Sequence, residues 1–430
     1  MGELRGTLVV GGGIVGLACA LNLRRSGLDV TLLDNGPASR PASWGNAGHL
    51  AVEQVEPLAS PGMLRSAPGR LFGRGGALDF RLSDADVWLP WSLQYLKACS
   101  PQAAAHGRTV LKGLLARALP AWRRLADSVG RADLVVERGH HLVWETSQSA
   151  ARGREAWARA DIGAARTRPL APDLLSQLSR RSETPVAGGL TFEGTGQIAD
   201  PGLALNRLSQ AFAAEGGVVR TGQARRLERP GRRVRVRLAD GEGLEPEQVV
   251  VAAGVGAGAL MRGLGHAAPV IAERGYHIEG EAGDWGDLPP VVFEDRAMIV
   301  TRFADRLRAA SFVEFGRAAA PADPRKWARL RRHAAAVGLP LGRSISHWMG
   351  ARPTLPDYLP AIGASPRADN LFYAFGHQHL GLTLAALTGE AVADLAAGRR
   401  GAVDLAPLAL ERFEGRRSPQ GHPLRQRGYS

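Results

Sequence analysis

Cysteine and long apolar runs are nearly absent from this chain of 430 residues. Cysteine occurs only as Cys19 and Cys99, without a Cys-x-x-Cys spacing, which excludes a disulfide framework and a cysteine-bound zinc or iron–sulfur cluster. No stretch reaches the roughly 18 uninterrupted apolar residues of a membrane-spanning helix. The chain opens on an apolar strand pattern instead of a signal-peptide core, so we expect a cytoplasmic protein whose membrane contacts, if any, are peripheral.

Lysine is almost as rare as cysteine, although the formal net charge is +13. Only Lys97, Lys112 and Lys326 occur among the 54 basic residues, and the arginines are dispersed among Asp and Glu. Nucleic-acid-binding surfaces concentrate basic residues on one face, so this dispersion indicates a compositional bias, and we expect no nucleic-acid partner. The excess charge leaves contact with an anionic membrane surface as an alternative.

The remaining composition is that of a folded globular protein. Hydrophobic residues make up 45% of the chain and charged residues 22%, which is ordinary for this class. The length exceeds what one small core requires. We therefore expect two domains, or one domain with a large insertion, and enough interior to bury a cofactor.

A glycine-rich turn follows the first predicted strand. Within residues 7–34, an apolar strand, the turn, a helical pattern and a second strand form a β-α-β unit. Gly11, Gly13 and Gly16 fit G-x-G-x-x-G, in which the glycines permit a tight turn, close approach of a pyrophosphate and close helix packing. The helix N-terminus then holds the phosphates, which indicates dinucleotide binding.

Asp34 ends the second strand of this unit. It lies 18 residues after Gly16, where an acid accepts hydrogen bonds from the ribose hydroxyl groups of a dinucleotide. A carboxylate at this place disfavours the 2′-phosphate of NADP. The motif alone leaves FAD and NAD open.

The rest of the chain alternates between helical and strand patterns. An irregular, apolar loop at residues 41–63 is predicted to lie over the cofactor, and residues 82–130 form a helical insertion. Asp200 has the position of an N-cap for a further helix. Several strands within residues 269–347 predict an antiparallel sheet that forms one wall of a pocket.

Two histidine pairs raise the question of a metal. His140 and His141 are adjacent in a predicted strand, so they face opposite sides, one on the surface and one in the core, and cannot hold one ion together. His377 and His379, in the segment FGHQHLGLT, provide at most two ligands, whereas catalytic zinc takes about three from protein. We expect no metal site.

Four segments together indicate a family. The glycine fingerprint, SWGNAG, HWMGARPTLPDYLPAIG and FGHQHLGLT follow in the order that resembles the FAD-dependent D-amino acid oxidase superfamily, and within it the bacterial D-amino acid dehydrogenases and D-hydroxyproline dehydrogenase-like proteins. The resemblance implies a mixed α/β fold with an FAD-binding domain of the glutathione-reductase type. That domain is interrupted by a substrate domain whose antiparallel sheet covers the flavin.

Transferred to this chain, the resemblance predicts discontinuous domains. The FAD-binding domain is expected at residues 1–80, 197–265 and 345–412, and the substrate domain at residues 81–196 and 266–344. A basic tail at residues 413–430 is expected to be poorly ordered.

The resemblance also implies which residues form the site. Arg352, in the G-x-R-P segment, is expected to bind the substrate carboxylate, with capping of a helix or pairing to Asp357 as the alternatives. His379, Tyr276 and His49 are expected near the substrate, while His377 packs in its loop. The residues expected at the cofactor are Gly11, Gly13, Gly16, Asp34, Asn35, Ser43, Asn46, Ala47, Gly48, Ala253, Gly254, Gly376, His377, Gly381, Leu382 and Thr383.

The function implied is oxidation of a D-amino or imino acid, with hydride transfer from Cα to N5 of a non-covalent FAD. The unusual residues Gln378 and His379 favour a compact cyclic substrate, D-proline or cis-4-hydroxy-D-proline. The alternatives are a broad D-amino acid dehydrogenase, an oxygen-using glycine or sarcosine oxidase, and a flavin-binding subunit without catalysis. A quinone or respiratory partner is the expected electron acceptor.

Overall fold

The computed structural model describes residues 2–36 and 40–414, and most of the predicted basic tail lies outside these ranges. The strands are β1 Gly2–Val10, β2 Val30–Asp34, β3 His49–Leu50, β4 Leu78–Phe80, β5 Val135–Val136, β6 His140–Trp144, β7 Arg166–Pro169, β8 Gly188–Glu193, β9 Gly196–Ile198, β10 Val218–Thr221, β11 Ala224–Glu228, β12 Arg235–Leu238, β13 Gly243–Val251, β14 Ile271–Glu281, β15 Val291–Phe293, β16 Met298–Phe303, β17 Arg306–Gly316, β18 Ser346–Thr354, β19 Ala361–Ala364 and β20 Leu371–Phe375. The α-helices are α1 Ile14–Arg25, α2 Pro61–Ser66, α3 Ala85–Ala98, α4 Pro101–Ser128, α5 Ser147–Arg159, α6 Pro172–Arg181, α7 Pro201–Ala214, α8 Ala257–Arg262, α9 Pro324–Ala336 and α10 Gly381–Ala396.

The first sheet is built around β1. The parallel strands follow in the order β10, β2, β1, β13 and β20. Strand β12 pairs antiparallel with the first half of β13, and β11 pairs antiparallel with β12. Val9 faces a core shared with α1 and α10, whereas Leu8 and Val10 face a second core on the opposite side. Both faces are covered, as a parallel sheet requires.

The second sheet has the order β18-β14-β17-β16-β15-β6-β8-β7. Its pairings are antiparallel except for β15 with β6 and the short β4 with β17. The predicted mixed α/β class with an antiparallel sheet is thereby confirmed. A small third sheet, β3-β9-β5, joins the loop after β2 to the remainder.

Two of the predicted domain boundaries need correction. Helix α4 was assigned to the substrate domain, but Leu111, Leu115 and Trp122 are buried in the same core as α1 and α10. The reason is its long apolar stripe, which packs on α10. Strand β18 was assigned to the FAD-binding domain, yet it pairs along its whole length with β14 in the second sheet.

Several local predictions also change. The loop at residues 41–63 contains β3 and the start of α2, and helices α5, α6 and α9 were not predicted. His140 and His141 are both buried, at 3% and 8% exposure, because β6 lies inside the second sheet and pairs with β8 and β15. The predicted cap of α7 is present, since the Asp200 carboxylate accepts hydrogen bonds from the amides of Gly202 and Leu203.

No helix within the described residues combines the length and the apolar character needed to cross a bilayer.

Buried histidines should make this fold sensitive to acid. Burial lowers the pKa of seven histidines from about 6.5 to about 3 or 4: His140, His141, His266, His277, His333, His377 and His379. Below pH 6.5 the unfolded chain therefore binds more protons than the native one. The free energy of unfolding must therefore decrease as the pH is lowered below 6.5, by up to about 1.4 kcal/mol per pH unit for each such group.

We predict that the melting temperature decreases steadily between pH 7 and pH 5.5, measured by differential scanning calorimetry. His333→Gln, which removes one of these groups outside the cavity described below, should make the decrease shallower. A melting temperature that stays constant over this interval would contradict the neutral, buried state of these side chains.

Candidate active site

A large cavity lies where the two sheets meet. Its volume is about 1240 Å³, above the roughly 300–1,000 Å³ of ordinary ligand pockets. One wall consists of the carboxyl ends of β1, β2, β13 and β20, and the other of β14, β17 and β18. Ligands bind at the carboxyl ends of parallel strands in folds of this kind, so the position suits a dinucleotide and a second molecule.

The glycine turn after β1 forms a narrow cradle in this cavity. A Cβ added at Gly11, whose φ is +116°, would lie 2.5 Å from the carbonyl oxygen of Ala252. One added at Gly12 would lie 2.6 Å from Cγ of Asp34, while Gly13 faces open space up to 3.6 Å. Backbone atoms can therefore approach a pyrophosphate closely, with Asp34 beside them.

Most of the predicted cofactor residues line the cavity. They are Gly11, Gly13, Asp34, Asn35, Ser43, Asn46, Ala47, Ala253, Gly254, His377, Gly381 and Leu382. Ser43 also tightens the cradle, because its hydroxyl oxygen accepts a 3.2 Å hydrogen bond from the amide of Ile14 at the start of α1.

Two predicted cofactor residues support the cradle from behind. A Cβ at Gly16 would lie 1.8 Å from the carbonyl oxygen of Gly11, so this glycine lets α1 pack against the turn. The Thr383 hydroxyl accepts a hydrogen bond from the amide of Ala51 at 3.1 Å, which ties the loop after β3 to α10. Neither residue lines the cavity.

Gly48 and Gly376 are likewise outside the cavity lining. Both have positive φ angles, +80° and +78°. A Cβ at Gly48 would meet the Phe303 ring at 2.8 Å, and one at Gly376 would meet Leu355 at 2.4 Å. Their role is to shape the two loops that border the cavity.

Arg352 lies on the opposite wall, on β18. Its Nη1 donates a 2.8 Å hydrogen bond to Oε1 of Glu273, the residue directly across on β14. Glu273 is buried, whereas 27% of the Arg352 side chain is exposed, toward the cavity that it lines. Gly275 makes room for the guanidinium, since a Cβ there would lie 2.4 Å from Nη2.

Glu273 is fixed by more than this ion pair. Its Oε2 accepts hydrogen bonds from the hydroxyl groups of Thr354 at 3.1 Å and Tyr358 at 3.3 Å. The predicted alternative, an ion pair between Arg352 and Asp357, is wrong, because Asp357 pairs with Arg412 at 2.7 Å. Glu273 was missed because nothing in its local sequence marks it as the partner of a residue 79 positions away.

Tyr276 lines the cavity, as expected, but its hydroxyl is engaged on the far side. The hydroxyl donates to Oε2 of Glu314 at 2.5 Å and accepts from the amide of Asp323 at 3.1 Å. Glu314 also binds the fully buried ammonium group of Lys326 at 3.0 Å. Only the ring of Tyr276 is thus available to a ligand, and a substrate-contacting hydroxyl is not supported.

The turn between β20 and α10 shapes the third side of the site. His377 bonds through Nε2 to the Thr388 hydroxyl at 3.0 Å, so it packs inside the loop. Gln378 has a φ of +47° and donates from its side chain to the carbonyl oxygen of Tyr358 at 3.0 Å. No described side chain caps α10, so its first amides can face a partial negative charge.

His379 faces the cavity from this turn. Burial lowers its pKa to about 4, and its Nε2 is buried without a hydrogen-bond partner among the described residues. Arg352, Glu273, Glu53 and His49 are all close enough for their charges to affect the pKa of His379. A neutral imidazole in this position can donate or accept one hydrogen bond.

His49 lines the cavity from β3, and a carboxylate that the sequence analysis missed lies behind it. His49 Nε2 and Glu53 Oε1 are 3.0 Å apart, and the ring of His140 contacts that of His49 at 4.4 Å. Donor atoms of these three residues lie within 4.8 Å of one another. Burial opposes ionisation of Glu53, but the charge and hydrogen bond of His49 outweigh it and lower the pKa to about 2.

The two cysteines do not belong to the site. Cys19 is buried in α1, where burial raises the pKa of its thiol to about 12, and Cys99 is buried after α3. Neither lines the cavity. Both positions agree with the expected non-covalent cofactor, which stays a prediction.

A dinucleotide cradle that faces an antiparallel sheet with a half-buried arginine at the cavity wall is typical of a cofactor-dependent oxidoreductase. Residues 7–395 match the family of FAD dependent oxidoreductases, and the chain belongs to this family. The FAD expected from the family resemblance is thereby confirmed, and the cradle fits it. When bound, FAD supplies the group that accepts a hydride.

Several curated proteins and solved structures are similar to this chain over most of its length. The D-amino-acid oxidase of Bradyrhizobium diazoefficiens is 32% identical over 96% of this chain and 100% of its own. The D-amino acid dehydrogenase 2 of Ralstonia nicotianae is 31% identical over 94% and 99%. The glycine oxidase structure from Geobacillus kaustophilus superposes with a TM-score of 0.73 over 95% and 99% at 22% identity, which supports the fold.

Proposed function

We propose that this enzyme oxidises a D-amino or imino acid. The observation that carries the proposal is the arrangement of charge in the cavity: the Arg352 guanidinium lies on the β18 wall, and His49 with the Glu53 carboxylate behind it lies on the β3 wall. A zwitterion matches both, with its carboxylate at Arg352 and its ammonium near His49. The names of the relatives support the D configuration.

Arg352 is positioned to orient such a substrate. Glu273 occupies Nη1, while Nη2 lies over Gly275 at the cavity wall. A planar guanidinium whose torsions are fixed by a buried partner holds a carboxylate in one orientation, which directs the Cα–H bond of the substrate. Because Glu273 offsets the charge of Arg352, the pair contributes more to orientation than to affinity.

The chemistry then requires a hydride acceptor, and FAD is the one that the family provides. The chain's own contribution is to bind the carboxylate, to neutralise the amine and to exclude water from the cavity. An imino acid leaves the site and is hydrolysed in water. Arg352, exposed to the cavity instead of to solvent, argues against a flavin-binding subunit without catalysis.

The specific substrate is proposed from the residues beside Arg352. His379 Nε2 is buried without a partner among the described residues, and a hydrogen bond from it to a ring hydroxyl would favour cis-4-hydroxy-D-proline or D-proline. The size of the cavity favours a second candidate, a broad D-amino acid dehydrogenase, because Leu58, Met63 and Tyr95 line space for a larger apolar side chain. An oxygen-using glycine or sarcosine oxidase differs in electron acceptor, not in this geometry.

We predict that a D-amino or imino acid bleaches the flavin absorbance of the purified protein under anaerobic conditions. The panel is D-proline, cis-4-hydroxy-D-proline, D-alanine, D-phenylalanine, sarcosine and glycine, with the L-enantiomers of the chiral compounds as controls.

Arg352→Lys retains a cation beside Glu273 but loses the planar donor, so KM should rise roughly tenfold to a hundredfold. Arg343→Lys, at an exposed position, is the matched control. A yellow protein bleached by none of these compounds would contradict the proposal.

For the electron acceptor we propose a membrane quinone or a respiratory partner, reached by peripheral contact with the membrane. The support is an apolar face on α3 and the turn before it, formed by Leu82, Leu89, Leu93 and Leu96, of which Leu82 is 83% and Leu93 63% exposed. Such a continuous apolar patch is unusual on a soluble surface.

The charges around this face complement an anionic bilayer. Arg65, Arg70, Arg74 and Lys97 are exposed next to it in the chain. The nearby acids are already neutralised, since Asp84 and Asp86 pair with Arg317. Basic residues around an apolar helix face are typical of proteins that lie on a membrane surface. Tyr95 and Leu96 of α3 also line the cavity, so the contact would be adjacent to the active site.

We predict that the protein sediments with vesicles that contain anionic phosphatidylglycerol, and much less with pure phosphatidylcholine. Leu89→Gln with Leu93→Gln should abolish sedimentation, because two apolar side chains no longer enter the bilayer. Val218→Gln with Val219→Gln, at exposed positions of β10, is the matched control. Equal sedimentation of both double variants would contradict the proposal. A dimer that forms with increasing protein concentration, and that only the α3 variant fails to form, would instead assign the face to a second copy of the chain.

A further inference from the structure

An amino acid substrate presents the enzyme with a proton problem. At neutral pH its amine is an ammonium group, and a hydride leaves Cα readily only when the nitrogen holds a free electron pair. We propose that His49, positioned by Glu53, accepts this proton from the substrate. The inference rests on the proposed oxidation of an amino acid and adds the group that activates it.

The contact between His49 and Glu53 fixes the histidine as a base. Glu53 is 3% exposed and does not line the cavity, so its carboxylate lies behind the imidazole ring. At 3.0 Å it accepts the hydrogen of His49 Nε2. The proton therefore resides on Nε2, and Nδ1 carries the lone pair. A carboxylate behind a histidine also stabilises the imidazolium that forms when Nδ1 is protonated.

The free nitrogen is the second observation. His49 Nδ1 is buried without a hydrogen-bond partner among the described residues, although the His49 side chain borders the cavity. A buried polar atom without a partner costs free energy, and such atoms are commonly completed by a ligand. A substrate ammonium is a donor that would complete Nδ1.

The groups around the pair favour this direction of transfer. His140 on β6 faces His49, and burial, followed by repulsion from His49, lowers the pKa of His140 to about 3, so it stays neutral. His379 from the α10 side is also neutral at pH 7. The Glu53 carboxylate is the charge in direct contact with His49.

The same three residues could be considered as ligands of a metal ion, since their donor atoms lie within 4.8 Å of one another. Two contacts disfavour this. His49 and Glu53 are at hydrogen-bond distance from each other, and Nδ1 of His140 is engaged by the Thr195 hydroxyl at 2.9 Å. These contacts favour a hydrogen bond between His49 and Glu53 over a metal ion.

The step is balanced as follows. One N–H bond of the substrate ammonium breaks, its electron pair stays on nitrogen, and an N–H bond forms at Nδ1 of His49. The resulting imidazolium is paired with the Glu53 carboxylate, so no net charge is created in the cavity. The amine nitrogen is then neutral while the carboxylate remains on Arg352. The proton returns to water when product leaves.

A ligand that cannot be oxidised tests this step without turnover. 2-Aminoisobutyrate carries an ammonium and a carboxylate but no Cα–H, and isobutyrate is its matched control without the amine. The FAD-bound protein is labelled with ¹⁵N in its histidine rings, and the His49 signals are assigned by comparison with His49→Gln. We expect 2-aminoisobutyrate at pH 7.5, but not isobutyrate, to add a proton to Nδ1 of His49, which shifts the ¹⁵N signal of this nitrogen.

The pH dependence of kcat/KM with the best substrate gives the second readout. At pH 7, His49→Gln should lower kcat/KM about 10²-fold or more, the range of general-base catalysis. The difference from wild type should disappear at high pH, where the substrate amine is already neutral. Glu53→Gln should show an intermediate loss with the same pH trend, and Glu53→Asp should restore part of it. His141→Gln, buried outside the cavity, is the control and should match wild type at every pH.

The outcomes separate this inference from the proposed function. If wild type is bleached by no amino acid, the proposed function itself fails. A second outcome would overturn the base assignment while the proposed function stands. In it, wild type is bleached, but 2-aminoisobutyrate leaves the ¹⁵N signal of His49 Nδ1 unchanged and the variants lose activity equally at all pH values. A stoichiometric metal that is found by elemental analysis and lost in Glu53→Gln would also overturn it.

Discussion

The buried carboxylate of Glu273 is the constraint on which the substrate wall depends. An ionised group inside a protein is costly unless it is paired and hydrogen-bonded, and Glu273 obtains its partners from Arg352, Thr354 and Tyr358. This requirement fixes the register of β14 against β18. It also explains why Gly275 has no side chain, because the guanidinium lies over it. The exposed part of Arg352 is thus rigid before any ligand arrives.

The cavity combines this rigid cation with a second pair, His49 and Glu53, in which a buried carboxylate supports a basic side chain. Glu53 supports His49 on the loop wall as Glu273 supports Arg352 on the sheet wall. In both pairs the carboxylate is hidden and its partner reaches the ligand. His379 lies between them. In the proposed function, a zwitterionic amino acid would therefore meet a carboxylate-binding group on one side and a proton acceptor on the other, beside the cradle of the cofactor.

Local patterns in the sequence predicted several local structures. The turn at Gly11, the acid at Asp34 and the cap at Asp200 are set by neighbouring residues, and all three lie as expected. Glu273 was missed because its role comes from strand pairing with the distant Arg352. Glu53 lies only four residues after His49, but no regular periodicity in this irregular loop marks the two side chains as partners. Tyr276 was predicted at the cavity, yet its hydroxyl direction is set by Glu314, 38 residues later. Side-chain partners across a sheet cannot be inferred from periodicity alone.

The most direct test is a crystal structure of the FAD-bound protein with 2-aminoisobutyrate. The account predicts that the ligand carboxylate is bound by Arg352, with the Arg352–Glu273 pair intact, and that the amine lies within hydrogen-bond distance of His49 Nδ1. A ligand bound in the reverse orientation, or a carboxylate held elsewhere while Arg352 contacts only Glu273, would contradict the account.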